Sequence, residues 1–279
     1  MVGNHGAMEW LHQEGTSELG GDVTDGDRGD NREFYERHYP DLLAASSLAA
    51  VLSDVLVRQG SRLSIGREFF GAQSVSFASC WHGDRGVQMY IALNERLFLM
   101  GLWEKDIEVA AAETPDIDEA ARAIRRWLED RVPLSAVVAE LPHARLSEAG
   151  MSYARGTYLE DEWRRLIERT RDKNHSELFH WDDLEALIRV ASQHPDLRRF
   201  RPFTSAWRFS VSPKAGIPAP NIPLVWPLGD GRFRLAGDEH VEGDAEAVAE
   251  ALARYLREHG IEPRGFDPSD VQDDDDSPA

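Results

Sequence analysis

Residues 74–103 read SVSFASCWHGDRGVQMYIALNERLFLMGLW, and three stretches within them, Ser74–Trp81, Gly86–Leu93 and Leu97–Trp103, are rich in aromatic, aliphatic and β-branched residues. The links between them, His82-Gly83-Asp84-Arg85 and Asn94-Glu95-Arg96, have turn composition. Three short strands with links this brief pair as an antiparallel meander, since a parallel crossover needs a dozen or more residues. Upstream, Leu42, Ala45, Leu48, Leu52, Val55 and Leu56 fall on one face of a helix over Asp41–Gln59 that stops at Gly60. Downstream, Thr114-Pro115-Asp116 opens a helix carrying Ile117, Ala120, Ala121, Ile124, Trp127 and Leu128 on one face. Acids come early in it and arginines late, as the helix dipole favours. Pro133 starts a short helix to Leu141.

The middle of the chain is helical, with Leu159, Trp163, Leu166 and Ile167 on one face and Trp181, Leu184, Leu187, Ile188 and Ala191 on another. His194-Pro195 closes it. Strands return at Ser205–Val211, then at Leu224–Pro227 and Arg232–Ala236 across the turn Gly229-Asp230-Gly231. A proline-rich passage with Pro213, Pro218, Pro220 and Pro223 separates the first from the second, and Asp244–His259 forms the last helix. Two segments repeat: Arg96–Gly101 matches Arg232–Gly237, and the helix from Asp116 matches the helix from Asp244. The expectation is an α+β protein of two lobes, each of antiparallel strands followed by a helix, with a possible internal duplication. The lobes span 31–142 and 196–260, joined by a helical region over 143–195 and flanked by disordered acidic tails at 1–30 and 261–279.

The formal charge of −19, from 50 acids against 31 bases, excludes a general nucleic-acid grip, which needs a basic surface. Twelve of those charges lie in residues 1–40 and 260–279, so the remaining chain is close to ordinary. Only three bases are lysine, a skew that reads as coding bias and makes any single arginine a weak sign of anion binding. The lone Cys80 excludes an intramolecular disulfide or a multi-cysteine metal centre. Neither a secretion signal nor a run of about 20 apolar residues is present, so the expectation is cytoplasmic, with no membrane partner. The run Asp273–Asp276 lacks the spacing of a calcium loop and reads as a solvated tail.

The sequence carries no phosphate-cradling P-loop, dinucleotide fingerprint, H-E-x-x-H or G-x-S-x-G elbow. Cofactors are therefore unassigned, and three small constellations remain. Cys80 and His82 share a strand face, as a thiolate–imidazole pair requires, although Cys80 also reads as a core residue and His82 as the start of a turn. His180-Trp181-Asp182-Asp183 sets an imidazole beside two carboxylates and equally reads as a helix start. His240, Glu242 and Asp244 alternate before the last helix, where Asp244 also reads as its N-cap and no fourth ligand is near. No metal is expected.

The densest polar and aromatic segment is Leu197–Ser210, with four arginines among four aromatics. Arg198, Arg201, Thr204, Ser205, Trp207 and Arg208 form its candidate ligand- or partner-binding set, suited to a carboxylate or another anion. The competing reading is a helix-to-strand junction whose aromatics anchor the core and whose arginines pair with surface acids. His194-Pro195-Asp196-Leu197-Arg198 running into Pro202-Phe203-Thr204-Ser205, with Trp163–Glu168 before it and Gly231–Arg234 after it, resembles a family of uncharacterised actinomycete proteins labelled natural product biosynthesis proteins. The likeness spans residues 115–256; Val211-Ser212-Pro213-Lys214 departs from it. It implies a setting in bacterial specialised metabolism and brings no catalytic residues. The expected function is an accessory or binding protein for a small molecule or protein. An enzyme using His180, Asp182 and Asp183 or Cys80 and His82 with the arginine strip, and an immunity-type partner with an acidic surface, are the alternatives.

Overall fold

Pairing in the first sheet begins from the turns. In the computed structural model, which describes residues 32–69, 72–141, 143–172, 180–205, 207–215, 221–236 and 241–266, strands β3 (Phe77–His82) and β4 (Arg85–Ile91) meet across Gly83-Asp84. Gly83 has a positive φ of 60°, as the first central residue of a type II′ hairpin turn requires. β5 (Phe98–Glu104) pairs next with β4, and β6 (Ile107–Thr114) next with β5. Ahead of this meander lie the small hairpin β1 (Glu68–Phe69) and β2 (Ala72–Gln73), and β7 (Arg145–Leu146) adds to the edge of β6. The sheet order is β3-β4-β5-β6-β7, antiparallel throughout. The expected tail at 1–30 and residues 267–279 of the expected tail at 261–279, together with Pro218, Pro220 and His240, lie outside the described residues.

β6 runs straight on from β5 over residues to which the sequence pattern assigned no element. Lys105 and Asp106 both have positive φ, 49° and 64°, and so form a type I′ turn without the Asn-Gly or Asp-Gly that announces one. The helix expected over Asp41–Gln59 is two helices. After α1 (Arg32–His38), α2 (Pro40–Ala45) ends at Ser46, whose φ is 72°. Ser47 then caps α3 (Leu48–Arg58) by accepting the Ala50 N–H at 3.1 Å. The Tyr39 hydroxyl, fully buried, accepts the Leu97 N–H at 2.9 Å and lies within 3.0 Å of the Ala92, Glu95 and Leu97 carbonyls, while Arg96 grips Asp41 with two 2.8 Å bonds. Helices α1 and α2 are thus pinned to the β4–β5 turn.

Helix α4 (Ile117–Leu128) forms as its pattern predicts: Asp116 caps it by accepting the Asp118 N–H, and every residue of its apolar stripe is buried. α5 (Leu134–Glu140) follows Pro133, and α6 (Glu148–Ala154) is an element the apolar periodicity did not reveal. Inward-facing Val87, Met89, Met100, Leu102 and Ala110 of the sheet are buried. Trp127 of α4, fully buried, donates its indole N–H to the Gly86 carbonyl at 3.3 Å, and the Arg85 guanidinium lies 3.8 Å from its ring.

The chain divides into two units between Met151 and Ser152. The second unit holds α7 (Tyr158–Asp172), α8 (Trp181–Gln193), β8 (Arg201–Ser205), β9 (Arg208–Ser212), β10 (Val225–Gly229), β11 (Arg232–Leu235), β12 (Val241–Gly243) and α9 (Ala245–Glu258). Its strands again pair in chain order, β12-β11-β10-β9-β8. The expected helical middle therefore has no core of its own: Trp163, Leu166, Leu184, Leu187 and Ile188 share one cluster with Phe209, Val225, Phe233 and Leu252. The strand expected over Ser205–Val211 is instead the turn and second arm of a hairpin, its first arm beginning at Arg201. Pro202, which has no N–H for a ladder, had hidden that arm; it is accommodated because β8 is an edge strand. The loop expected before α9 contains β12, while Asp244 caps α9 by accepting the Ala247 N–H at 2.9 Å, as predicted. Of the expected tail from 261, residues up to 266 are ordered: Arg264 donates its backbone N–H to the Pro213 carbonyl at 2.8 Å, and Phe266 stacks on Tyr158.

Candidate functional site

Alternation along the second sheet sorts the candidate residues. Phe209 and Val211 of β9, Val225 and Pro227 of β10 and Phe233 and Leu235 of β11 face the helices, so their neighbours face away. Register then sets Glu242, Arg234 and Trp226 in one row across β12, β11 and β10, and Ser205 opposite Arg208 on β8 and β9. The Arg208 guanidinium lies 4.6 Å from the Trp226 ring and 5.6 Å from the Trp207 ring, and the two indoles meet edge-on with centroids 6.1 Å apart. Arg208 Nε is buried and has no hydrogen-bond partner among the described residues. Beside this cluster Arg234 is neutralised by Glu242 at 2.7 Å, and Leu228 is exposed.

The arginine strip is therefore divided. Ser205, Trp207 and Arg208 come together and gather Trp226, which the sequence reading had placed in a strand without a role. Arg201 turns to Glu162 of α7 at 3.1 Å; Glu162 also accepts from Arg165 at 2.6 Å, so this arginine is committed to a structural network. Burial pushes the Tyr158 hydroxyl upward next to that network, with Arg201 opposing the shift. Arg198 is exposed on the 3-10 turn Leu197–Arg199, its backbone carbonyl accepting from the Trp163 indole at 3.3 Å. Thr204, paired with Phe209, shares the helix-facing side.

The other constellations carry structural duties. Cys80 is buried, faces the core with Val87, and donates its thiol to the Ser64 carbonyl at 3.3 Å. Burial, with the Glu129 charge second, pushes that thiol up to about 11, so it is not a nucleophile near neutral pH, and His82 is exposed at the strand end. His180 precedes α8 with no cap bond and lays its ring on Gly229, while Asp183 accepts the Gly231 N–H at 3.0 Å. The pair clamps the β10–β11 turn to the start of α8. Glu242 is held by Arg234 and Asp244 by its cap, and no group of three or more His, Cys, Asp or Glu among the described residues could hold a metal ion. No helix among the described residues is long and apolar enough to cross a membrane.

A second polar cluster, on the outward face of the first sheet, had no sequence candidate. Trp103, opposite Gly86 on one side and Glu108 on the other, is 2% exposed, and its indole nitrogen has no partner among the described residues. Burial raises the Glu108 carboxyl to about 7. Trp103 lay in an expected strand, but its pairing with Glu108 was hidden because β6, which carries Glu108, was unrecognised.

An arginine set against two edge-on indoles, on the face of an antiparallel sheet turned away from its helices, defines, as a class, an aromatic–cationic platform. Residues 157–266, which run from α7 past α9 and contain the whole platform, match the model of a family of unknown function, DUF6193. No curated protein and no solved structure matches the chain.

Proposed function

We propose that the chain is a non-catalytic binding protein whose second sheet takes a small ligand with a carboxylate on a flat apolar body. The observation that carries this reading is Arg208: a half-buried guanidinium against Trp226 and Trp207, with Nε unpartnered among the described residues. Such a group is stabilised by the ring faces yet keeps a donor edge for an anion. Leu228 and the indoles supply the surface against which an apolar body packs. In the bacterial specialised-metabolism setting implied by the resemblance, and in the cytoplasm, the ligand class is a carboxylate-bearing metabolite and the chain an accessory protein.

Titration of the full chain with benzoate, followed by tryptophan emission and calorimetry, tests this. Benzoate is expected to bind, with affinity falling as salt rises, and Arg208→Met is expected to weaken it about tenfold or more. The same variant should melt close to wild type, because loss of the cation–π contact is offset by removal of an unsatisfied buried N–H. The reading fails if benzoate does not bind, or binds Arg208→Met as well as wild type.

A further inference from the structure

The outward face of the first sheet has a floor, bare of side chain at Gly101, between two rows that carry aromatic rings. Ser79, Gln88, Gly101 and Ala111 lie in successive strands along one line, with Phe77, Tyr90 and Leu99 on one side and Trp81, Gly86, Trp103 and Glu108 on the other. Trp81 lies over Gly86 and is 43% exposed, its ring centroid 6.5 Å from that of Trp103. Gly101 sits at the middle of the floor. A methyl group there would meet Glu108 Oε1 at 2.9 Å and Trp103 Nε1 at 3.0 Å, so the two polar atoms converge over one bare stretch of backbone. No side-chain hydrogen bond or ion pair reaches the Glu108 carboxyl among the described residues, and the indole N–H, on a residue 98% buried, is likewise unmatched. The same face carries the Gln88 amide, whose oxygen accepts from the Tyr90 hydroxyl at 3.3 Å, and Glu113 and Arg145 on β6 and β7.

An indole N–H only donates, and a carboxyl oxygen beside it accepts in either protonation state. A donor and an acceptor side by side match a group that presents an acceptor and a donor side by side, which is the edge of an amide or lactam. An ammonium ion would satisfy Glu108 and leave the indole N–H unpaired; a carboxylate would satisfy the indole and oppose Glu108. We infer that the outward face of the first sheet is a second ligand site, in which Trp103 Nε1–H donates to the carbonyl and Glu108 accepts from the N–H of a neutral planar amide or lactam whose ring packs on Trp81. The site is chemically distinct from the Arg208 platform and does not depend on the reading of that platform.

The test uses the full chain at pH 7 with benzamide, benzylammonium and benzoate as probes, read by calorimetry and by saturation transfer to ligand protons. Benzamide is expected to bind wild type about tenfold or more tighter than it binds Glu108→Ala or Trp103→Phe, each of which removes one hydrogen bond from a desolvated site. Glu108→Gln keeps an acceptor oxygen and should hold benzamide within about threefold of wild type, since a bond with an unchanged acceptor geometry changes affinity little. Arg208→Met should leave benzamide binding unchanged. Because Trp103 is buried, its variant is compared with Glu108→Ala, and both are checked by melting. The proposal is overturned if benzamide does not bind, if both Trp103→Phe and Glu108→Ala fold and bind it as wild type does, or if benzylammonium binds more tightly and is lost in Glu108→Gln. That last result would make Glu108 a simple cation site.

Discussion

On the first sheet the indoles of Trp81 and Trp103 stand 6.5 Å apart beside a carboxyl; on the second, those of Trp207 and Trp226 stand 6.1 Å apart beside a guanidinium. Both pairs lie on the face turned away from the apolar core of their own unit, and both charged groups are withdrawn from water. The two ions meet that loss differently. A carboxyl escapes desolvation by keeping its proton, which is why Glu108 rises to about 7 without a partner. Arginine has no such exit below pH 12, so Arg208 keeps its charge and rests against two π faces at 4.6 and 5.6 Å. Similar architecture thus gives one face whose charge is set by pH and one whose charge is fixed.

The comparison predicts its largest effect at Glu108. Its carboxyl holds a proton to about 7 in the folded chain against an ordinary value of 4.5. Between those values the folded state binds more protons than the unfolded one, so stability falls as pH rises through that window and is flat above it. Glu108→Gln removes the penalty. At pH 8 it is expected to be more stable than wild type by about 2 kcal/mol, after allowance for partial solvation, and near neutral at pH 4. Urea denaturation of both proteins across pH 4–8 measures this; a difference independent of pH would mean that the carboxyl is solvated or paired. No counterpart is expected at Arg208, whose replacement should shift stability equally at every pH in that range.

A smaller effect is expected where the second unit anchors its hairpin. Asp183 reaches from α8 to the Gly231 N–H at 3.0 Å, and Asp183→Ala should cost about 1 kcal/mol, the worth of one hydrogen bond to a charged acceptor near the surface. Hydrogen exchange should rise at Gly231 and its neighbours. If exchange there is unchanged, the His180 ring against Gly229 holds the turn without Asp183.

Turns were legible where their residues say what they do. Asp230-Gly231, with φ of 54° and 68°, is a two-residue hairpin turn in both sequence and structure. The helices were also readable: Asp116 and Asp244 cap as their positions imply, the stripe of α4 is buried, and those of α7, α8 and α9 are buried except at Leu159, Ile167, Trp181 and Tyr255, which are partly buried. What failed was local chemistry overridden by context. Ser46 takes a left-handed conformation in the middle of an unbroken apolar stripe, and Pro202 sits in a strand only because that strand is at an edge. The Arg208 platform was half visible, since Trp226 lies on the outward phase of a strand already recognised. The Glu108 cluster was invisible, because it needs the register of a strand with no announced turn.

That unannounced turn supplies the finest test. Lys105 and Asp106 occupy left-handed backbone at 49° and 64°, and Lys105 donates its N–H to the Asp84 carbonyl at 2.7 Å, tying the β5–β6 turn to the β3–β4 turn. Asp tolerates that conformation better than most residues, and Gly adopts it without strain, but Gly also loses more freedom on folding. The two effects oppose each other and leave a gain of about 0.5 kcal/mol for Asp106→Gly. By the same reasoning Gly231→Ala, which forces a Cβ into φ of 68°, should lose about 1 kcal/mol. Paired denaturation curves check the two together. If the strain at Asp106 is real, the signs are opposite and the first sheet becomes as readable from its turn as the second. If Asp106→Gly destabilises instead, the aspartate side chain holds the turn, and β6 is fixed by a contact beyond the backbone geometry.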